Sequence, residues 1–229
     1  MKKFIVCFTV AVLLALLVPG PAFASPTSPG KDIAKYTFIH YDASHKGGKP
    51  GNTEGAYSLY KGGVKWADGV EVSYKVNSSG VSNKAVQAIV DSFNAWDDET
   101  SRDLFADSAG DTTNTGVKYD EENTISWTSI PQQGVIAMCS FWVNTKSKQI
   151  VEFDIEFNTY YVWSTSGASG AMDVQNIATH EIGHTLVLND LYQPVNSSQT
   201  MYGYSDLGDI SKRTLESGDI AGLWALYGR

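Results

Sequence analysis

The stretch Thr179-His180-Glu181-Ile182-Gly183-His184-Thr185-Leu186-Val187-Leu188-Asn189-Asp190 carries the reading of the whole chain. A helix turns about 100° per residue, so His180 and His184 project from one face about 6 Å apart along the axis, and both imidazoles reach one metal ion. Glu181 stands roughly a quarter turn around, where its carboxylate can take a proton from water at the metal without being a ligand. Two protein ligands leave a catalytic zinc under-coordinated, because such sites hold three plus water. Asp190 follows His184 by six residues. On a continuing helix it would lie about 9 Å farther along the axis, so the chain must turn after His184 if Asp190 is to return to the metal.

Working outward, Asp173 is a good N-cap for this helix, and Val174, Ile177, Ala178 and Ile182 give it a buried stripe. Upstream lie three β-type runs, residues 123–128, 135–143 and 149–158. In the last, Val151, Phe153, Ile155 and Phe157 alternate with Glu152, Asp154, Glu156 and Asn158, giving an apolar face and an acidic one. The acidic face reads as a solvated outer surface, with a cation site as the alternative. Residues 70–76 alternate as a strand with one buried face, and a helix follows with Ser82 as cap and Val86, Ile89, Val90, Phe93 and Trp96 as its core stripe. The acidic run Asp97-Asp98-Glu99 at its end opposes the helix dipole unless the helix has already stopped or a cation is near. A final helix, capped by Ser217 or Thr214, buries Ile220, Leu223, Trp224 and Tyr227.

The N-terminal end belongs to targeting. Lys2 and Lys3 precede an apolar run over residues 4–18, Pro19 and Gly20 break it, and Ala22-Phe23-Ala24 is a small-x-small cleavage site, so residues 1–24 read as a secretory signal rather than an uncleaved anchor. The mature chain loses two lysines and no acid, leaving a formal charge of −10 against −8 for all 229 residues. That balance argues against nucleic acid or an anionic membrane as partner and favours solubility outside the cell. Cys7 leaves with the signal, so Cys139 is alone and no internal disulfide forms. Residues 25–60 read as a leader, with little structure over residues 25–35, an apolar piece at Tyr36-Thr37-Phe38-Ile39 and a Gly/Lys-rich loop over residues 45–55. His40 and His45 read as exposed or partly packed rather than as a second metal site. Residues 107–122 form a polar loop whose Asp120-Glu121-Glu122 could hold structural calcium, although such clusters are commonly just solvated. Residues 61–229 form one domain.

The metal stretch and the C-terminal residues after it resemble the metzincin zinc peptidases, closest to the matrixins and their small bacterial and archaeal relatives, whose pattern is H-E-x-x-H-x-x-G-x-x-H/D and then a methionine turn. His180, Glu181, His184 and Asp190 occupy the matching places, with Asp in the variant third position. Met201 in Thr200-Met201-Tyr202 matches the methionine turn, and residues 219–228 resemble the family's last helix. The likeness runs from about Val70 to Gly228. It implies an α+β zincin fold: a twisted mixed sheet, mostly parallel, with an antiparallel edge strand, an active-site helix and a C-terminal helix. It implies a secreted, monomeric, zinc-dependent endopeptidase acting on peptides or proteins, with His180, His184 and Asp190 as zinc ligands and Glu181 as general base. Residues 135–141 would be the edge strand, and an unpaired edge offers N–H and C=O groups to an extended substrate. Gly134, Val135, Ile136 and Ala137 are the expected backbone contacts, with Leu186, Tyr202 and Tyr204 near the specificity pocket. Cys139 on that strand reads as a buried, inert thiol.

Two departures stand out. The family's glycine falls at Val187. Glycine there lets the chain leave the helix in a left-handed conformation, which costs a β-branched residue about 1–3 kcal/mol. Asn189 offers another place to turn, and glycine at 187 is expected to improve zinc affinity or turnover. No inhibitory cysteine precedes the domain, which leaves residues 36–55 to cover the cleft by other means. The competing functions are a catalytically weak homologue that binds peptides along the same strand and a purely structural metal domain. The glutamate beside the first histidine and the count of three candidate ligands argue against the structural domain.

Overall fold

The computed structural model describes residues 29–45, 55–60 and 62–229. The signal expected at residues 1–24 and most of the loop expected at 45–55 lie outside them. In chain order the elements are β1 (Ile33–Asp42), β2 (Lys75–Val76), α1 (Asn83–Asp97), β3 (Gly110–Asp111), β4 (Thr124–Thr128), β5 (Val135–Asn144), β6 (Gln149–Asn158), β7 (Trp163–Ser164), β8 (Met172–Asp173), α2 (Val174–Thr185), β9 (Tyr204–Ser205) and α3 (Ser217–Tyr227). The main sheet has the order β3-β2-β4-β6-β5-β1-β9, and β7 and β8 form a small parallel pair. From β3 to β6 the sheet is parallel, and β5 pairs antiparallel to β6. This is the mostly parallel sheet with one antiparallel strand that the resemblance implied, with its active-site and C-terminal helices as α2 and α3 and the helix read from residues 82–96 as α1.

Local chemistry explains the elements. The Ser82 side chain accepts from the Ala85 amide at 3.2 Å and starts α1. Ile89, Phe93 and Trp96 are buried, while Val86 is only partly so. The acidic run is explained by the helix ending at Asp97, whose carboxylate accepts from the Leu104 and Phe105 amides at 3.1 Å each. Phe93 stacks on Tyr74 at 3.8 Å between ring centroids and meets Phe153 of β6 at 6.2 Å, seating α1 on the sheet. Trp96 Nε1 donates to the Thr179 carbonyl at 2.9 Å and fixes α2 against α1. In residues 70–76, Val72, Tyr74 and Val76 are buried as the alternation requires, but only Lys75–Val76 pairs as a strand. The last helix is capped by Glu216 through a capping box with Asp219, not by Ser217 or Thr214.

Two expectations are corrected. Ile33–Lys35 are strand and not leader, because β1 alternates along its length and lays Tyr36, Phe38 and His40 inward onto β5 and α2. The edge expected over residues 135–141 is therefore not open. In the sheet β5 lies between β6 and β1, and β1 pairs antiparallel to it from Ile33↔Asn144 to Tyr41↔Val135.

The acidic face of β6 is not solvated either. Residues 112–122 fold over it, and Glu152, Asp154 and Glu156 are at most 7% exposed. Glu152 accepts from the Asp120 and Glu121 amides, and Asp154 from the Lys118 and Thr124 amides. Glu122 is engaged by Lys75, Thr112 and Asn114. Among the described residues, the groups spaced to hold a metal ion centre on α2 and do not include these carboxylates.

Burial pushes the Asp154 carboxyl up to about 8, with the Lys118 amide opposing and the Glu152 and Asp120 charges adding to the rise. In the unfolded chain it titrates near pH 4. Between those values the unfolded chain has lost a proton that the folded chain keeps, so stability falls as pH rises through the window and levels off above it. Asp154→Asn is expected to flatten the pH dependence of urea unfolding between about pH 5 and 8. An unchanged slope would contradict the assignment.

Candidate metal centre

Asp173 starts α2 by accepting from the Asn176 amide at 3.1 Å, and Arg213 clamps the same carboxylate. The apolar face anticipated for α2 is part of an almost wholly buried helix: Val174, Ile177, Ala178 and Ile182 are core, and His180, Glu181 and His184 are fully buried beside them. Gly183 is required by packing, since a Cβ there would collide with the Met201 sulfur and with Trp96.

The helix then stops in a left-handed turn. The Val187 amide bonds the His184 carbonyl at 2.9 Å and the Leu188 amide reaches back to the Gly183 carbonyl at 3.1 Å, a Schellman arrangement with Val187 at the left-handed position, φ 62°. Asn189 is not the turning residue. A strand-like contact holds the exit: the Tyr60 amide bonds the Val187 carbonyl and the Asn189 amide bonds the Ser58 carbonyl, each at 2.8 Å.

This turn brings Asp190 back. Its Oδ1 lies 3.2 Å from His180 Nε2 and 3.5 Å from His184 Nε2. The other ring nitrogens are fixed by backbone, His180 Nδ1 on the Thr200 carbonyl and His184 Nδ1 on the Leu188 carbonyl, both at 2.7 Å. Each imidazole thus donates its Nδ1 proton and presents an Nε2 lone pair to the same point. His180 Nε2, His184 Nε2 and Asp190 Oδ1 are buried without a well-formed hydrogen bond. Three such atoms within 4.8 Å of one another form a set that a divalent cation satisfies.

The electrostatics agree. Burial pushes Asp190 up, but His184 and His180 outweigh it and hold the carboxyl far below its ordinary range. Burial lowers His180 to about 4, whereas His184 is raised because the Asp190 carboxylate overcomes its burial. An anion that draws a proton onto a neighbouring imidazole makes the same demand that a metal cation at that point would meet.

The profile of the matrixin peptidase family matches residues 65–228 of the chain. The chain belongs to the matrixin family. A comparison with curated proteins finds no match. Membership places the chain among zinc metallopeptidases, whose substrates are peptides or proteins, and among the described residues no helix is long and apolar enough to cross a membrane.

The other expected site residues are placed as follows in this matrixin. Met201 lies under α2, with its own amide and that of Thr200 held by the Asp219 carboxylate at 3.1 and 2.8 Å. Leu186 is buried in the core, Tyr204 packs between Tyr202 and Tyr192 at 5.7 and 5.3 Å between ring centroids, and Tyr192, unforeseen, donates to Asp190 Oδ2 at 3.0 Å. Gly134 to Ala137 lie along β5 but are covered by β1, with the Asp42 amide on the Gly134 carbonyl at 2.8 Å. Cys139 is buried and its thiol is pushed well up by burial, as an inert residue should be.

Two buried residues were missed. His40, expected near the surface, is fully buried, with Nδ1 3.1 Å from Glu181 Oε1 and its ring 3.9 Å from that of His180, so that His40, His180 and Glu181 form a second group able to hold a metal. Lys212, 2% exposed, donates to the Tyr202 and Tyr204 carbonyls and approaches His40 Nε2 at 3.4 Å. No local pattern marks either: the one signal for His40 was its place in step with Tyr36 and Phe38.

Val187 is left-handed and also fully buried. Glycine there would relieve about 1–3 kcal/mol of backbone strain but lose about 1.5–3 kcal/mol of side-chain burial. Val187→Gly is therefore expected to change unfolding free energy by no more than about 2 kcal/mol in denaturant titration. A loss of about 3 kcal/mol or more would mean that the backbone is not strained.

Proposed function

We propose that the chain is a secreted zinc endopeptidase, with residues 1–24 as its export signal, residues 61–229 as its catalytic domain, His180, His184 and Asp190 as zinc ligands and Glu181 as the general base. The observation that carries this reading is the convergence of three buried, unpartnered donor atoms beside a buried carboxylate. A zinc ion in that position supplies Lewis-acid polarisation of the scissile carbonyl and lowers the pKa of nearby water.

The protein's own groups do the rest. Thr200 and Leu188 carbonyls hold the two imidazoles in one tautomer and orientation, so the ligands are set before metal arrives. Burial lifts Glu181 to about 8. The positive charge of His184 and Lys212 opposes that rise, and a divalent cation held at the centre would favour the ionised form in the same way, in which Glu181 could accept a proton from the attacking water and pass it to the leaving amine. β1 occupies the β5 edge along Val135, Ile136 and Ala137, so a substrate strand with backbone contacts at Gly134 to Ala137 would need β1 displaced, with Tyr202 and Tyr204 as candidate side-chain contacts. The Met201 turn, tied to α3 through Asp219, gives the centre a rigid floor.

A second reading, a peptide-binding homologue with little or no turnover, draws support from one observation: Glu181 is fully buried and already bonded to His40. Casein hydrolysis separates the two. We expect cleavage that a chelator abolishes and zinc restores, and that Glu181→Gln lowers about 10²- to 10⁴-fold while zinc content is unchanged. Glu181→Gln retaining activity within about tenfold of the parent would remove Glu181 from the role.

A further inference from the structure

Away from the metal centre, three neighbouring parallel strands end at one cavity. Residues 79–82 follow β2, Trp127 lies near the end of β4 and Thr159 directly follows β6, and all of them line a space of about 670 Å³. The crevice outside the carboxyl ends of parallel strands is where open α/β sheets take ligands, and the volume suits a small molecule. Both helices behind the sheet start here, α1 after its cap Ser82 and α2 at Val174, so their positive ends add to the donors of the wall. Val174 stands about 9 Å along the axis from His180, and the cavity shares no residue with the metal centre. Its wall is aromatic and uncharged. Trp127 stacks on Phe157 at 4.9 Å between centroids, and Trp163 meets the same Phe157 at 5.0 Å with its plane turned by 81°. Trp163 Nε1 is fixed on the Asn158 carbonyl at 3.0 Å and the Tyr161 hydroxyl on Asp42 at 2.6 Å, so these rings are in place before a ligand arrives. Ser79, Thr159 and Thr165 add hydroxyls, each able to donate and accept. One donor lacks its acceptor: Trp127 Nε1 is buried without a hydrogen-bond partner.

We propose that this cavity binds the pyranose ring of a neutral glycan. A pyranose has an apolar face of C–H bonds, which the negative ring faces of Trp and Tyr attract. Around that face runs a rim of oxygens that pair with Ser and Thr hydroxyls and with an indole N–H. Other ligand classes match the wall less well. An ion finds no counter-charge in it, and a hydrocarbon leaves the Trp127 N–H unpaired in dry surroundings. The inference goes beyond the endopeptidase reading and does not need it, because the sugar site stands whether or not the metal centre turns substrate over. Where both hold, the substrate class narrows to proteins that carry or lie beside neutral glycans.

The test reads the indole N–H signals of the mature chain by proton–nitrogen NMR during titration with cellobiose and with N,N′-diacetylchitobiose. The chain has six tryptophans, each with one such signal. Saturable shifts are expected at Trp127 and Trp163, with Trp127 moving downfield as it gains an acceptor. Trp66 and Trp96, bonded to the Thr185 and Thr179 carbonyls of α2, should stay in place, and a chelator should leave the affinity unchanged. Trp127→Phe keeps a ring and removes the donor, and should weaken binding about 2- to 12-fold. Thr159→Val, at an exposed position, keeps the test open if Trp127→Phe unfolds, and should weaken binding in the same range. No saturable shift with either sugar, shifts at Trp66 or Trp96 instead, or affinity unchanged in both variants would overturn the proposal. Binding of p-cresol but of neither sugar would overturn it too, in favour of an aromatic peptide side chain. A glycopeptide ending in the same sugar reads the source: equal affinity with the same two shifts supports a glycan on a macromolecule, and binding of the free sugar alone supports a free saccharide.

Discussion

Everything at the centre depends on one backbone event, the left-handed turn at Val187. Without it α2 would carry Asp190 about 9 Å past the histidines. With it, the carboxylate stands within 3.5 Å of both Nε2 atoms. The residue that makes the turn is β-branched and intrinsically unsuited to it, so the conformation is imposed by its surroundings. The Gly183 and His184 carbonyls accept from the turn, residues 58–60 pair across its exit, and the Val187 side chain is wholly buried. Burial and hydrogen bonds together outweigh a strain of about 1–3 kcal/mol.

From that turn the supporting contacts run in order. The Leu188 carbonyl, placed by the turn, orients His184, and the Thr200 carbonyl orients His180. Thr200 is placed by Asp219, a buried carboxylate of α3 that takes the Thr200, Met201 and Glu216 amides. Two imidazole orientations are thus set by backbone carbonyls on separate segments, and α3 reaches them through Asp219 and Thr200. Gly183 is the packing counterpart, letting Met201 lie against α2 where any side chain would hold it off.

Much of this was legible in the sequence. The spacing of His180, Glu181 and His184 specified a helix and a shared face, Asp173 and Ser82 declared their caps, and alternation in residues 149–158 specified β6. The resemblance supplied Met201 and the sheet. What escaped notice depended on distant partners. The acidic face of β6 looked solvated because nothing local shows that the amides of residues 118–124 would fold onto it. Glu216 was passed over as a cap because its box is completed by Asp219, whose second task is at the methionine turn. β1 was hidden for a compositional reason: a Pro-, Ser- and Gly-rich start and a Gly/Lys-rich loop frame it, and a strand of two-residue period between such segments reads as leader unless its partner is known. Lys212 could not be foreseen as buried, because a lysine enters a core only where several oxygen acceptors meet, as the Tyr202 and Tyr204 carbonyls do here.

Metal analysis of the purified mature chain bears on the whole account, since turn, carbonyl clamps and buried donors all converge on the proposed coordination point. X-ray absorption on the zinc-loaded protein, with elemental analysis, should find one zinc per chain bound by two imidazole nitrogens and a carboxylate oxygen, and Asp190→Ala should lose the oxygen and most of the metal. A chain that binds no zinc, or binds it equally well without Asp190, would contradict the account.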